Sequence, residues 1–333
     1  MLLKQAKVKW IILFTFIFIL LLVNCASIVY GYTNTSWALV YQALTQFNGS
    51  NEHLIVQNMR LPRALIATTV GAALSVAGCL MQALTKNPLA SPGIFGINAG
   101  AGFFVVGGML FFNVQSSNGI STLAFIGAAV TATIVYVAGS LGNEGLTPIK
   151  LTLAGAAMAA MFSSLTQGML AVNESALEQV LFWLAGSVKG RSLDLLFDII
   201  PYIIIALLIS LFLGKKINTL LMGEDIAKGL GQNTVLLKLT MSICIILLAG
   251  SAVAIAGPIS FIGMMVPHFA RLIGGHDHRW IIPYSALMGA ILLVTADISA
   301  RYIIMPEEVP VGVMSAMIGL PIFVYIARRR LGI

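Results

Sequence analysis

Charge is the scarcest property of this sequence. Only 9% of its 333 residues are Asp, Glu, Lys or Arg, against roughly 25% in a soluble globular domain. So little charge cannot clothe a soluble surface, and 59% of the residues are hydrophobic, with a mean hydropathy of +0.96. Cysteine is equally sparse. Cys25, Cys79 and Cys244 lack the paired spacing of a zinc site or a disulfide framework and read as small apolar fillers. No Gly-x-x-x-x-Gly-Lys-Ser/Thr run occurs, since Gly214-Lys215-Lys216 lacks both the glycine spacing and the hydroxyl, so the chain has no P-loop. No segment gathers a nucleophile, a base and an orienting group, so no enzyme activity is expected. His268, His276, Asp277 and His278 are the nearest approach to a metal set, but they straddle a helix end, where His and Arg meet the negative end of a helix dipole. No metal or other cofactor is expected on this chain.

What is abundant is apolar runs of membrane-crossing length, about 20 residues each. Lys4, Lys7 and Lys9 precede Trp10 to Val23, which has a signal peptide's layout but no clean small-x-small cleavage pattern, and reads as a retained first helix. A polar segment from about Gly31 to Asn58 follows. The second helix is the uncharged run Ala64 to Thr85, with Pro62 at its start. Residues Asn87 to Asn143 hold two more, divided at Asn113 to Gly119, and Leu151 to Val172 gives a fifth. Charges between Glu174 and Asp198 flank the apolar patch Val180 to Ala185, expected as a short helix outside the membrane or partly re-entering it. The sixth helix is expected to end at Lys215. A polar loop, 215–238, then separates the first half, 1–214, from the second, 239–333. Leu239 to Ala256 is a seventh helix, broken by Gly257-Pro258, and Ile259 to Ile273, containing Pro267, is too short for an ordinary span. Ile281 to Ala300 and Val311 to Ala327 supply the ninth and tenth.

This count predicts an all-α polytopic membrane protein, one transmembrane domain over 1–333, with both termini on one side. Fourteen of the 19 lysines and arginines then fall on the terminal side and five opposite: Arg60, Arg63, Lys189, Arg191 and Arg301. The positive-inside bias places the termini and the central loop in the cytoplasm and accounts for the net charge of +7 without a nucleic-acid partner. Gly71-Ala-Ala-Leu-Ser-Val-Ala-Gly78 also echoes Gly250-Ser-Ala-Val-Ala-Ile-Ala-Gly257 at four of eight positions. The two runs lie in helices of opposite sense, as in the inverted repeats of transporters, here helices two to five against seven to ten. Asp297 is a proton-relay candidate within a span, which would make the chain a proton-coupled secondary transporter. Arg301 one turn later instead favours a neutralising pair.

Three stretches carry a family resemblance: RLPRALIATTVGAALSVAGCLMQALTKNPLASPGIFG (60–96), AGPISFIGMMVPHFARLIGGHDHRWIIPYSALMGAILLVTADISAR (256–301) and EVPVGVMSAMIGLPIFVYIARRR (308–330). Together they resemble the FecCD-type permeases of bacterial ABC importers, which carry iron(III)-siderophores, haem or cobalamin. The resemblance implies a ten-helix subunit in the bacterial cell membrane. It implies pairing with a second permease, identical or different, and with an external substrate-binding protein. It further implies two cytoplasmic ATPases, which bind the ATP and magnesium. By the same resemblance Gly223, Glu224, Asp225, Ala227, Gly229 and Gly231 form the ATPase coupling loop, and Asn87 and Leu89 narrow the cytoplasmic side of the pathway. Arg60, Arg63 and Arg301 meet acidic residues of the binding protein. Iron-siderophore is the leading cargo, with haem and cobalamin as alternatives.

Overall fold

The computed structural model describes residues 6–31, 35–142, 146–172, 180–181 and 183–331, with side chains at 323 and 325–331 left aside. Among the described residues every regular element is helical: α1 Ala6–Val29, α2 Trp37–Thr45, α3 Asn51–Ile55, α4 Leu61–Leu84, α5 Ile97–Phe112, α6 Ser117–Ser140, α7 Pro148–Val172, α8 Leu193–Leu221, α9 Glu224–Gly229, α10 Thr234–Ala256, α11 Ile262–Gly274, α12 His278–Ala300 and α13 Val311–Leu331. Among the described residues seven stretches are long and apolar enough to cross a membrane: α1, α3 to α4, α6, α7, α8, α10 and α12. The helix α5 and the first part of α13 are shorter apolar segments.

Helix starts follow side-chain caps rather than the edges of apolar runs. Ser36, Ser50, Ser116, Ser192 and Asn233 each accept a hydrogen bond from a backbone N–H three residues on, satisfying one of the amides that a helix start leaves without a partner. Three expected boundaries are therefore corrected. Helix α8 passes through Lys215 and Lys216 to Leu221, because Ile217 and Leu220 on its inner face are buried while the lysines point outward. Helix α10 begins five residues before Leu239 and contains Lys238. Pro62 starts nothing: the helix is continuous from Asn51 to Leu84 across a π-turn at Val56–Arg60. Such a bulge lies just ahead of the position where proline supplies no N–H. At about 1.5 Å per residue the 34-residue rod is longer than a bilayer core.

The polar segment from Gly31 to Asn58 is largely helical. There α2 and α3 form a small lid whose own core is Val29, Val40, Ala43 and Val56. Residues 173–179 of the charged segment lie outside the described residues, and the patch beside them is helical at Val180–Leu181 and Trp183–Leu184.

The rod α4 is the axis of the bundle, with α10, α11, α12 and α1 packed around it. Small residues permit the approach. A β-carbon on Gly71 would lie 2.3 Å from the Gly289 carbonyl oxygen, and one on Gly78 would lie 1.7 Å from that of Gly263. One face of α1 is exposed and apolar, at Ile11, Phe14, Phe18 and Leu21, as on a lipid-facing helix, while Ile12, Leu13 and Phe16 pack against the core. Past Gly257, at φ 72°, the chain reaches Phe261 at φ 69°, ψ −35°, where Ile262 N–H donates to Ser260 C=O at 2.9 Å. This is a γ-turn with a left-handed centre, a rare and strained conformation for a non-glycine residue. It launches α11, whose 13 residues rise only about 20 Å and run unbroken through Pro267.

Candidate functional site

Three groups of candidate residues lie at the two ends of this bundle. At one end, Arg60, Arg63 and Arg301 converge although the first two precede the third by more than 200 residues. Arg60 donates to the carbonyls of Ile28 (3.0 Å) and Val29 (2.6 Å) and to Thr35 Oγ1 (2.5 Å). Arg301 donates to the carbonyls of Ser27 (2.7 Å) and Tyr30 (2.8 Å) and to Ser27 Oγ (2.8 Å). Two guanidiniums thus cap the carbonyls at the C-terminus of α1, where cations also meet the negative end of the helix dipole. Arg63 clasps Asp297 with Nε and Nη2 (2.9 and 2.7 Å) and reaches Glu308 with Nη1 (2.7 Å). Arg301 Nη2 takes the other oxygen of Asp297 at 2.6 Å. Lys189 approaches Glu308 at 3.7 Å.

A dock calls for accessible guanidiniums, yet Arg60 and Arg301 are only 5% and 4% exposed, because the carbonyls of α1 and the buried Asp297 draw them inward. What the three present is the wall of a cavity of about 280 Å³, shared with Met59, Lys189 and Glu308. Asp297 has both oxygens engaged by arginines, so the pairing expected with Arg301 is present and Arg63 joins it.

At the other end lies the turn from α8 to α10. Gly223, at φ 134°, makes the corner that starts α9, and Gly231, at φ 78°, ends it. Glu224 accepts from Lys238 Nζ (2.7 Å) and Thr234 Oγ1 (3.2 Å), with Lys228 Nζ at 3.5 Å. The Lys238 hydrogen bond, then its charge and those of its neighbours, outweigh burial and hold the Glu224 carboxyl below its ordinary range. Ala227 is buried beneath the turn, and Asp225 is exposed. No atom lies within 4 Å of where a Gly229 β-carbon would stand. Around it Met222, Ile226 and Leu230 are 65%, 49% and 68% exposed.

Beside this turn, the Asn87 side chain accepts from Leu89 N–H at 3.0 Å, an Asx-turn that leaves both residues exposed. Gln82 braces it, donating to the carbonyls of Ala90 (3.2 Å) and Met264 (2.9 Å) and accepting from Arg271 Nη2 (2.5 Å). Nothing in the sequence pattern singled out Gln82. Asp277 caps α12, and although burial would raise its carboxyl, hydrogen bonds from Arg279 and Asn218 hold it at about 2. Among the described residues no three His, Cys, Asp or Glu side chains converge as a metal-binding group.

Residues 19–329 match the FecCD transport family. The chain belongs to that family. It is 70% identical over 329 residues, 99% of each protein, to the Probable siderophore transport system permease protein YfiZ of Bacillus subtilis (strain 168). It is 45% identical to the Fe(3+)-citrate import system permease protein YfmD of the same organism, over 85% of this chain and 84% of that protein. To the Ferric enterobactin transport system permease protein FepD of Escherichia coli (strain K12) it is 41% identical, over 94% and 93%. Its structure superimposes, with a TM-score of 0.83 and 28% identity over 96% of this chain and 99% of the other, on an inward-facing structure assigned to the metal-chelate type of ABC transporter. This FecCD-family chain is a multi-pass membrane protein.

Proposed function

We propose that this chain is the membrane permease subunit of an ATP-driven importer for an iron(III) chelate of the siderophore class. The observation that carries the reading is the end-to-end identity with a named siderophore permease. The chain works beside a second permease, two ATPases and an external binding protein, with ATP and magnesium held on the ATPases. Ten segments cross the membrane, namely α1, α3 to α4, α5 to α8 and α10 to α13, of which α11 is too short to cross alone. The termini and α9 are cytoplasmic, in keeping with the positive-inside bias.

In this arrangement α9 is the coupling element. A soluble face would not keep Met222, Ile226 and Leu230 in water beside a salt-bridged, rigid corner, whereas a groove on a partner would cover them. Nucleotide-driven closure of the ATPases then tilts α8 and α10, both rooted in this corner. Asn87 and Leu89 narrow the cytoplasmic exit. On the outer face, an acidic side chain of the binding protein enters the cavity walled by Arg60, Arg63, Arg301 and Lys189. Asp297 serves as the internal counter-charge of that wall, and its two arginine partners argue against a proton relay.

Reconstitution tests the whole reading. Vesicles with permease, ATPase and binding protein take up a labelled ferric siderophore when ATP is inside. Uptake by the permease alone, driven by a pH gradient, would overturn it.

A further inference from the structure

We infer that the end of the bundle carrying α9 holds a site for the headgroup of an anionic phospholipid, in the notch that α12 forms between α1 and α8. The inference needs the chain to cross a membrane and does not draw on the importer reading. Helix α12 packs against both neighbours. Toward α1, Tyr284 Oη donates to the Lys9 carbonyl at 2.8 Å, and Trp10 stands edge-on to Trp280 with 5.2 Å between ring centroids. Lys9 Nζ lies over the Trp280 ring at 5.7 Å. Toward α8, Gly214 touches the backbone of α12, where a β-carbon would lie 3.0 Å from Arg279 N and 3.1 Å from its Cα.

Burial tells which way the side chains beside these contacts face. On α8, Leu213 and Ile217 to one side of Gly214 are buried. Leu211 and Lys215, to its other side, are exposed and so stand on the open side of the seam with α12. On α12, His278 is buried, and Arg279, 62% exposed, faces the same open side. Lys9, Arg279 and Lys215, from three different helices, therefore rim one notch. Pro283 and Leu287, half-buried one and two turns further along α12, floor it. The exposed Trp10 and Phe14 of α1 and Leu208 and Leu211 of α8 line its sides.

The rim calls for an anion. Asp277 holds Arg279 through Nε and Nη2 at 2.8 to 3.1 Å, which orients the guanidinium and leaves Nη1 unbonded. Among the described residues Lys9 and Lys215 have no acidic partner, so the rim keeps their two positive charges. A lipid phosphate meets both needs of such a site. Two ammoniums and a guanidinium edge receive its charge, the indoles stand at headgroup level, and the apolar floor and sides take the acyl chains. A free phosphate would leave those apolar surfaces uncovered. Lys216, exposed on the opposite side of α8, separates a built site from a uniform basic belt, because only a belt would use it.

The test is tryptophan quenching in phosphatidylcholine vesicles holding the permease as Trp37→Phe, which removes the exposed indole of the lid. A small share of the lipid carries brominated acyl chains, on either phosphatidylglycerol or phosphatidylcholine. Brominated phosphatidylglycerol should quench saturably, at mole fractions about tenfold lower than brominated phosphatidylcholine. Unlabelled phosphatidylglycerol should relieve the quenching, and inorganic phosphate should not. Lys9→Gln and Lys215→Gln should each weaken the preference about fivefold, the effect of one basic residue near an anionic surface. Neither removes a hydrogen bond of the fold, since Tyr284 bonds the backbone of Lys9, so both should keep the wild-type unfolding midpoint. Lys216→Gln should leave the preference unchanged. Equal quenching by the two brominated lipids, displacement by millimolar inorganic phosphate, or an effect of Lys216→Gln as large as that of Lys215→Gln would each overturn the site.

Discussion

Gly78 and Gly263 meet backbone to backbone, so close that a β-carbon on Gly78 would stand 1.7 Å from the Gly263 carbonyl oxygen. That contact fixes the short helix α11 against the axis α4, two residues past the strained corner at Phe261. Gly78→Ala should therefore destabilise the permease by about 1–3 kcal/mol, the range of overpacking changes. Neither neighbour can give way, both being backbone. Gly229→Ala, with nothing within 4 Å, should leave stability unchanged. Unfolding midpoints in one detergent would compare them, and equal midpoints would refute the packing argument.

The arginine cluster gives a prediction of opposite character. Asp297 is the shared acceptor of Arg63 and Arg301, with about 1% of its side chain exposed. Asp297→Asn leaves both guanidiniums without that charge and should cost about 3–5 kcal/mol, the usual consequence of breaking a buried ion pair from one side. Replacing Lys189, 62% exposed and 3.7 Å from Glu308, should cost no more than about 1 kcal/mol. If Asp297→Asn instead unfolds like the wild type and alters only the pH dependence of uptake, the relay reading returns.

These two sites mark the limit of what the sequence discloses. That the chain is a series of apolar helices was legible because an uninterrupted apolar run of about 20 residues has little choice but a bilayer. Helix ends were not, since Lys215, Lys216 and Lys238 look like loop residues but ride outward on helices whose ends are set by Ser192, Met222 and Asn233. The arginines were legible as a group on one side, and their direction was hidden. Nothing local to Arg60 or Arg63 tells of the carbonyls of α1 or of Asp297, because those partners are 31 and 234 residues away. Gln82 and Asn218 gave no signal at all, because their partners Met264 and Arg271, and Asp277, lie far along the chain.

The corner at α9 should show a pH signature. The Glu224 carboxyl titrates below its ordinary 4.5 because Lys238 bonds it in the folded state. A lowered folded value means that the pair stabilises above about pH 4.5 and that this stability is lost as pH falls through the folded value. With 34% of the Glu224 side chain exposed the effect is small, on the order of 0.5 kcal/mol. Wild type should exceed Glu224→Gln in midpoint by a constant margin from pH 7 to 5, with the gap closing below that. A gap that widened in acid would show the sign to be wrong.

Coupling is the prediction that reaches function most directly. Gly229 lies on the open side of α9, flanked by Ile226 and Leu230, and a side chain there meets nothing in the permease itself. Gly229→Asp should therefore insert and fold as the wild type does, within about 0.5 kcal/mol for a surface change. It would nevertheless place a branched, charged group in the surface that the ATPase groove has to cover. ATP-driven uptake should fall by at least about tenfold, equivalent to some 1.4 kcal/mol of lost coupling. Binding-protein association at the far end should remain. Two controls separate this from simple misfolding: the unfolding midpoint in detergent, and labelling of a cysteine at the exposed Leu230, in a Cys25→Ser background, from the cytoplasmic side alone. Wild-type uptake by Gly229→Asp would show that α9 does not carry the coupling, and labelling of Leu230→Cys from outside would invert the topology on which that role depends.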